Sequence, residues 1–382
     1  MTDLKQYRQA LGQLVALPSV SCASPRLDMS NREVVDLLAN WFADLGFETQ
    51  VQALPGQPNK ANLIATLGSG TGGLVLAGHT DTVPFDEHSW DQDPFKLTEK
   101  QDRLYGLGAT DMKGFFPVIL AAVKDFTSKP LKAPLTIIAT ADEETSMAGA
   151  RALAKQHHHQ AHAAVIGEPT GLKPIRMHKG IMMEAVHVRG HSGHSSDPAL
   201  GNNALEAMNL VMADLLSFRQ ELQSQYQHPG FAVSVPTLNL GCIHGGDNPN
   251  RICGDCELQF DLRSLPGMDN QQLHADLERR LAPLAQRLNV DITLRSLFAD
   301  VPAFEQAANS QLVLQCEALT GNAAVSAAFA TEAPFLQQLG METVVLGPGS
   351  IDQAHQPNEF IPLDQIAPAV TVLQQLIRHY CC

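Results

Sequence analysis

Histidines and acidic residues follow several short apolar runs of the chain, and their types are those of metal ligands. The runs "GLVLAG", "LTIIAT", "AAVIG" and "TVVLG" have the continuous hydrophobicity of strands buried on both faces of a sheet. Ligands of open α/β sheets bind beyond the carboxyl ends of such strands, so the residues that follow them are candidates for one site. Those residues, together with one from the loop "GLGATDMKG", are His79, Asp81, Asp111, Glu143, Glu144, Glu168 and His355.

Imidazole and carboxylate ligands without thiolate favour zinc, with cobalt as a chemical substitute. Of the seven residues, Asp81 stands behind His79 and one glutamate is left over as a possible base, so five candidate ligands remain. Five ligands exceed the number that one catalytic ion with an open position uses, so the set predicts two ions that share a bridging carboxylate. A site of this kind polarises a carbonyl and makes hydroxide at neutral pH, and a remaining glutamate can serve as the general base. Any one of these motifs alone is equally typical of a polar turn; their recurrence after successive buried strands favours a site.

Spacing within two of the motifs indicates separate roles. His79 and Asp81 are two residues apart, so on an extended segment they point the same way, and Asp81 can hold the tautomer of the histidine. Glu143 and Glu144 are adjacent, so their side chains leave opposite sides of an extended segment, which favours a different role for each.

Composition excludes several classes of partner. The length of 382 residues predicts two domains. The formal net charge of -14 disfavours nucleic acid and membrane surfaces as partners. The amino-terminal stretch lacks the apolar segment of a signal peptide, and the seven cysteines have no framework spacing, so we expect free thiols and a cytoplasmic protein. The pair Cys253 and Cys256 lacks a second ligand pair for structural zinc. The histidine run 157–159 is interpreted as a solvated helix end.

The order of predicted elements indicates an α/β protein with an insertion. Helices and buried strands alternate in the first part and near the end, which predicts a helix-flanked, mostly parallel sheet. The stretch 180–295 has the order β-α-β-β-α-β instead, which is the ferredoxin-like arrangement. We therefore predict a catalytic domain formed by 1–179 and 296–382 and an inserted α+β domain at 180–295.

Six motifs resemble the di-zinc aminoacylase and exopeptidase family: "GHTDTV", "GATDMKG", "ATADEETSMAGA", "IGEPT", "GHSGHSSDPALG" and "AHQPNE". The resemblance covers essentially the whole chain. It implies that His79 and Glu168 hold one zinc and that Glu144 and His355 hold the other. It also implies that Asp111 bridges the two ions, that Asp81 orients His79 and that Glu143 is the base.

The inserted domain carries weaker signals. His194, in "SGHSS", could donate to the oxyanion of a tetrahedral intermediate or be a solvated loop histidine. The resemblance favours the first interpretation and implies that the corresponding histidine comes from the partner subunit of a homodimer. It also implies that the inserted domain forms the dimer and acts as a lid. Asn250, Arg251 and Arg263 are candidates for gripping a substrate carboxylate, although Arg263 could be an ordinary salt-bridge partner.

Glu332, in "ATEAPF", could pair with a substrate ammonium or cap its loop. The resemblance is strongest to enzymes that act on N2-acetyl-L-ornithine, so it implies release of L-ornithine and acetate in arginine biosynthesis. Alternative substrates are those of a desuccinylase, an acetylcitrulline deacetylase or a dipeptidase. A metal-dependent binding protein without catalysis is a further alternative, which the intact base and ligand set disfavours.

Overall fold

The computed structural model describes residues 3–156 and 161–382, so the histidine run 157–159 lies outside the described residues. Its helices are α1 (Leu4–Val15), α2 (Arg32–Asp44), α3 (Phe115–Val123), α4 (Ala148–Ala154), α5 (Ala204–Gln225), α6 (Asn270–Leu288), α7 (Gln311–Thr320), α8 (Ala333–Gln338) and α9 (Ile366–Cys381). Its strands are β1 (Glu48–Leu54), β2 (Gln57–Leu67), β3 (Leu74–His79), β4 (Thr98–Lys100), β5 (Arg103–Tyr105), β6 (Leu135–Thr140), β7 (Ala163–Ile166), β8 (Ile175–His178), β9 (Met182–Arg189), β10 (Thr237–Gly245), β11 (Asp255–Arg263), β12 (Asp291–Ser296), β13 (Phe304–Glu305), β14 (Val325–Ala327), β15 (Glu342–Val345) and β16 (Phe360–Pro362).

The chain divides into two compact units. The first consists of Met1–Arg176, Gln306–Val325 and Thr331–Cys382, and the second of Met177–Glu305 and Ser326–Ala330. The second unit therefore begins three residues before the predicted insertion 180–295, continues ten residues beyond it and also includes the separate segment Ser326–Ala330.

The sheet of the first unit has the order β1-β2-β6-β3-β7-β15-β8. The four central strands, β6, β3, β7 and β15, are parallel, whereas the strands on either side pair antiparallel. The predicted α/β class with a mainly parallel sheet is confirmed at this centre. Every residue of β6 and β7 is buried, as expected for strands covered on both faces.

Helices α1, α2, α3 and α9 supply much of the first unit's core. In α2, apolar residues at helical spacing form a buried stripe, Val34, Val35, Leu38 and Phe42, whereas α3 is buried over most of its surface. A smaller sheet of order β16-β5-β4 belongs to the same unit. Its strands are three residues each and were not predicted.

The second unit has a four-stranded antiparallel sheet of order β10-β11-β9-β12. Its strand and helix order along the chain is β9-α5-β10-β11-α6-β12, which is the predicted β-α-β-β-α-β arrangement. One apolar core joins α5 and α6 to this sheet, with Leu215, Leu258 and Leu277 fully or almost fully buried.

Candidate metal centre and active site

Three neighbouring parallel strands deliver acidic and histidine residues to one edge of the first unit's sheet. His79 is the last residue of β3 and pairs with Thr140, the last residue of β6. Glu143 and Glu144 follow β6, and Glu168 follows β7, which pairs with β3 on its other side. Because these strands run in the same direction, their carboxyl ends meet at one edge.

Glycine is required immediately before Glu168. A Cβ on Gly167 would lie 2.0 Å from the ring of Phe115, in α3. Only a residue without a side chain allows the strand to leave the sheet against this helix, and the close packing fixes the direction from which Glu168 enters the site.

Asp111 and His355 reach the same place from loops. Asp111 precedes α3, and His355 lies in the segment that follows β15, with a positive φ of 60°. Asp142, just before the paired glutamates, also has a positive φ, of 58°. Non-glycine residues adopt this region at an energetic cost, and they persist where surrounding contacts impose it.

His79, Asp111 and Glu168 form one group of possible ligands. Nε2 of His79 is 3.1 Å from Oδ1 of Asp111 and 3.8 Å from Oε1 of Glu168. Oε1 of Glu168 is buried and has no hydrogen-bond partner among the described residues. A buried carboxylate oxygen without a donor is costly unless a cation satisfies it, so this group fits a metal ion.

Asp111, Glu144 and His355 form a second group. Nε2 of His355 is 3.3 Å from Oδ2 of Asp111 and 3.0 Å from Oε2 of Glu144. The two oxygens of Asp111 therefore face different histidines, one in each group. All ligand atoms within each group lie within 4.8 Å of one another, and Asp111 belongs to both groups, which is the arrangement that a bridging carboxylate requires.

Glu143 lies close to Glu144 but is not a member of the second group. It forms a cluster with His79 and Glu144, without His355. Only Glu144 of the pair is within hydrogen-bonding distance of His355. The two adjacent glutamates thus differ in their contact with His355, although their ligand atoms lie within 4.8 Å of each other and of His79. The expected departure from opposite sides of an extended segment does not hold, because residues 143–146 form a turn.

Asp81 contacts His79 differently from the prediction. Nδ1 of His79 donates to the backbone oxygen of Asp81 at 3.0 Å, whereas the nearer carboxylate oxygen is 3.8 Å away. The carboxylate accepts instead from the backbone N–H groups of Glu143 and Glu144, at 3.2 and 3.1 Å. Asp81 therefore links the histidine to the turn that carries both glutamates.

A buried ion pair anchors the same turn and was not predicted. Nζ of Lys60 lies 2.9 Å from Oδ1 of Asp142 and 2.7 Å from Oδ1 of Asp28. The hydroxyl of Ser21 also donates to Asp142, at 3.0 Å. Lys60 lies within the ordinary polar string "QPNKANL", so no pattern in the sequence distinguishes it.

Burial shapes the protonation of the site. It raises the pKa of Glu143 and of Glu168 well above the usual value, and neighbouring carboxylates add to this effect while His79 opposes it. Hydrogen bonds to Asp111 and Glu144 raise the pKa of His355 to about 10. Burial acts to raise the pKa of Asp111, but its two histidine neighbours outweigh burial and lower it. A recess with this many acids requires compensating positive charge, which two divalent cations would supply.

Glu332 lies in the interior of the first unit. It is 1% exposed and accepts a hydrogen bond from the hydroxyl of Thr140 at 2.9 Å. Its other oxygen has no partner among the described residues, and burial raises its pKa to about 7. The predicted contact with a substrate ammonium stays a prediction, as does the capping alternative, for which its helix α8 gives no side-chain hydrogen bond.

The remaining predicted residues lie in the second unit. His194 and Arg251 form an isolated β-bridge, and the backbone N–H of Ser195 donates to the oxygen of Asn250. Nδ1 of His194 is 2.7 Å from the hydroxyl of Ser196. These exposed loop residues are thus brought together, while Arg263 on β11 forms a salt bridge with Asp261 at 2.9 Å.

The cysteine pair of the second unit and the length and polarity of the helices bear on two predictions from the sequence. Cys253 and Cys256 are buried free thiols, and the metal-ligand clusters of the described residues contain no cysteine. Within residues 3–156 and 161–382, every helix is too short or too polar to cross a membrane.

The family model described as peptidase family M20/M25/M40 matches residues 75–379. Two curated relatives are each 48% identical over 380 residues, with 100% of this chain and 99% of the relative covered: the acetylornithine deacetylases of Erwinia tasmaniensis and Edwardsiella ictaluri. The chain belongs to the peptidase M20/M25/M40 family. The predicted family resemblance is confirmed, and with it the expectation of a hydrolase.

Solved structures of low sequence identity share the fold. A metallo-carboxypeptidase of the M20 family from Sulfolobus solfataricus has a TM-score of 0.75 at 18% identity, covering 97% of this chain and 98% of its own. A Bacillus subtilis protein described as a dinuclear metal-binding peptidase from the same family has a TM-score of 0.69 at 13% identity, covering 98% and 97%. The family therefore includes metal-dependent enzymes.

Proposed function

We propose that the protein is a di-zinc amidohydrolase that cleaves N2-acetyl-L-ornithine to L-ornithine and acetate, a reaction of arginine biosynthesis. One observation carries the reaction class: the two oxygens of Asp111 face His79 and His355, each within its own group of three possible ligands. Full-length relatives at 48% identity that are named acetylornithine deacetylases support the substrate.

The donor atoms fit two zinc ions, and cobalt can substitute, because every ligand is an imidazole nitrogen or a carboxylate oxygen. His79 and Glu168 hold one ion in this proposal, Glu144 and His355 hold the other, and Asp111 contacts both. When bound, two such ions polarise a carbonyl and lower the pKa of water.

Glu143 is the proposed general base. It adjoins His79 and Glu144 but is free of His355, so its carboxylate is available to a water molecule. A pKa raised by burial suits a group that takes a proton and then passes it to the departing amine. Asp81 fixes the backbone of this residue and of Glu144 and thereby keeps base and ligand in register.

Five predicted residues are assigned to recognition of the substrate. His194 is proposed to donate a hydrogen bond to the oxyanion, and Asn250, Arg251 and Arg263 to bind the substrate carboxylate. Glu332 is the proposed partner of the substrate ammonium, acting from the interior through its unpartnered oxygen.

The proposal includes a cytoplasmic homodimer that forms through the second unit. Strand β10 is at an edge of its sheet, so one side of it is free to pair. Ile243 on this strand is an exposed large apolar residue. Leu205 is another, and it lies near the end of the strand, since a Cβ on Gly246 would be 3.3 Å from its side chain. Exposed apolar side chains beside a free strand edge are typical of an interface.

A panel of N-acyl amino acids tests the substrate. We expect the zinc-loaded protein to hydrolyse N2-acetyl-L-ornithine with a higher kcat/KM than N-succinyl-diaminopimelate, N-acetylcitrulline or a dipeptide. Faster turnover of one of the other compounds would reassign the substrate within the same reaction class. A protein that holds two zinc ions and cleaves none of them would instead be a binding protein.

A further inference from the structure

Glu359 lies beneath the loop that carries Asp111, and its carboxylate accepts three backbone hydrogen bonds from that loop. Oε1 accepts from the N–H groups of Thr110 and Asp111, at 2.7 and 3.0 Å, and Oε2 accepts from the N–H of Gly108 at 3.0 Å. Successive N–H groups directed at one anion form a concave binding site made of backbone alone.

The same segment ties Asp111 to the loop of His355. Glu359 follows His355 by four residues, and its backbone oxygen accepts from the N–H of Gly106 at 3.1 Å. The hydroxyl of Thr110 donates to the backbone oxygen of Phe360 at 2.9 Å. Two loops that each present a possible ligand of the second group are thus joined through one carboxylate and its neighbours.

The carboxylate of Glu359 is buried, and burial of a carboxylate is unfavourable without hydrogen-bond donors. Glu359 is 2% exposed, and the three N–H groups supply the donors that its oxygens need. No lysine or arginine forms a salt bridge with it among the described residues. The groups that donate to the carboxylate are N–H groups of the loop backbone, and the buried ammonium of Lys113 acts on it electrostatically without forming a salt bridge.

The loop has little freedom to take another conformation while these bonds exist. Gly108 has a φ of +77°, and a Cβ there would lie 2.8 Å from a methyl carbon of Thr82. On the side of α1, the ammonium of Lys113 donates to the backbone oxygens of Leu14 and Leu17, at 3.3 and 2.7 Å. Held at both ends, the loop fixes the backbone of Asp111 and hence the direction of both its oxygens.

We propose that Glu359 is a positioning residue of the metal centre, which holds Asp111 in the orientation that presents one oxygen to each ion. This inference rests on the proposed function, because it assumes that Asp111 contacts both metals. Both carboxylate oxygens of Glu359 accept backbone N–H groups, so it acts through the backbone of residues 108–111.

The test is metal affinity in Glu359→Gln, measured by competition with a colorimetric chelator for zinc and by the visible absorption of the cobalt-loaded protein. An amide keeps the size of the side chain but turns an NH2 group toward at least one backbone N–H, so a donor faces a donor. Changes in residues that orient ligands lower metal affinity by roughly 10- to 100-fold. We expect a loss in this range and an altered cobalt spectrum.

Glu342→Gln is the matched control. Glu342 also accepts two backbone N–H groups, those of Gln311 and Leu312 at 3.4 and 2.8 Å, but at the start of α7, away from every proposed ligand. We expect this variant to bind zinc within about twofold of the parent protein and to keep the parent cobalt spectrum, since the perturbed contacts reach no ligand. Thermal unfolding of both variants separates loss of stability from loss of metal binding.

Parent-like zinc affinity and a parent-like cobalt spectrum in folded Glu359→Gln would overturn the inference, whatever its melting temperature. Should that variant not fold, Glu359→Asp retains the charge but is too short to reach all three N–H groups, and parent-like zinc binding by it would overturn the inference equally. A parent protein that holds two ions without cleaving N2-acetyl-L-ornithine contradicts the proposed function alone. A parent that binds no divalent metal contradicts both.

Discussion

Glu143 and Glu144 are adjacent in sequence but have different surroundings. Glu144 approaches His355 and Asp111, whereas Glu143 faces His79 without contacting His355. Both backbone N–H groups donate to the same Asp81 carboxylate, so the turn is fixed. Both side chains lie near His79, but only that of Glu144 reaches His355. A difference of one position in the chain therefore separates the proposed base from the proposed ligand.

Alanine at each position should separate these roles. We expect Glu143→Ala to retain two zinc ions and to lose activity by at least about 100-fold, the lower end of what a positioned general base contributes. We expect Glu144→Ala to lose or weaken one ion, measured by metal analysis after dialysis. Two variants with the same metal content, whether two ions or one, would contradict the division of roles.

Glu332 predicts a pH-dependent stability of the metal-free protein. Burial raises its pKa from an ordinary value of 4.5 to about 7, so the folded state holds the proton more tightly than the unfolded state. Stability is therefore lost as pH rises between these two values and is not lost further above them. From pH 5 to pH 8, we expect the free energy of unfolding of the parent to fall by about 2 kcal/mol relative to Glu332→Gln.

Denaturant unfolding of both proteins after chelator treatment measures this difference. The amide oxygen introduced by Glu332→Gln can still accept the hydrogen bond of Thr140, so the comparison isolates the charge. Parallel stability curves for parent and variant across this pH range would show that the carboxylate does not titrate as its burial requires.

At the scale of elements, the four central strands place the site, and the sequence predicted them well. The runs that form β3, β6, β7 and β15 are continuous and apolar because both faces of these strands are covered. The hairpin of β1 and β2 was not predicted: much of β1 is exposed, so it lacks an apolar signal. The short strands β4, β5 and β16 were missed because three residues are too few for a pattern.

The loops were harder to predict than the strands. Asp111 and His355 were recognised by residue type and by family motif, but nothing in their spacing indicated the positive φ of His355. Nor did it indicate that Glu359 accepts hydrogen bonds from three backbone N–H groups. Lys60 was missed for the same reason, since the partner that it holds, Asp142, is distant in the chain. Long-range contacts of single polar residues leave no periodicity in a sequence.

Lys60→Met tests how the turn after β6 is anchored. The side chain of Lys60 is 4% exposed, and its removal leaves Asp142 buried without a cation, so we expect a loss of about 3–5 kcal/mol in the free energy of unfolding. The double variant Lys60→Met with Asp142→Asn removes both charges, and we expect it to recover part of that loss. Urea unfolding gives the free energy of unfolding of both variants. A value for Lys60→Met within about 0.5 kcal/mol of the parent would show that the ion pair does not hold the turn.

At the scale of the whole molecule, the proposed dimer makes the second unit an interface. We expect light scattering to give twice the mass of one chain. Ile243 is 45% exposed on the edge strand β10, and Ile243→Glu places a charge there that should shift the protein toward the mass of one chain. Leu314→Glu is the control, since Leu314 is 52% exposed on α7 of the first unit. A parent protein with the mass of one chain, or a dimer unaffected by Ile243→Glu, would contradict an interface at β10.

Zinc titration of the metal-free protein tests the central claim most directly. Binding is followed by calorimetry and hydrolysis of N2-acetyl-L-ornithine by the release of free amine, on the same samples. Because Asp111 faces both histidines, we predict two zinc equivalents per chain and activity that is absent before zinc is added and maximal when both have bound. A single equivalent at saturation, or two equivalents without release of L-ornithine and acetate, would contradict the account.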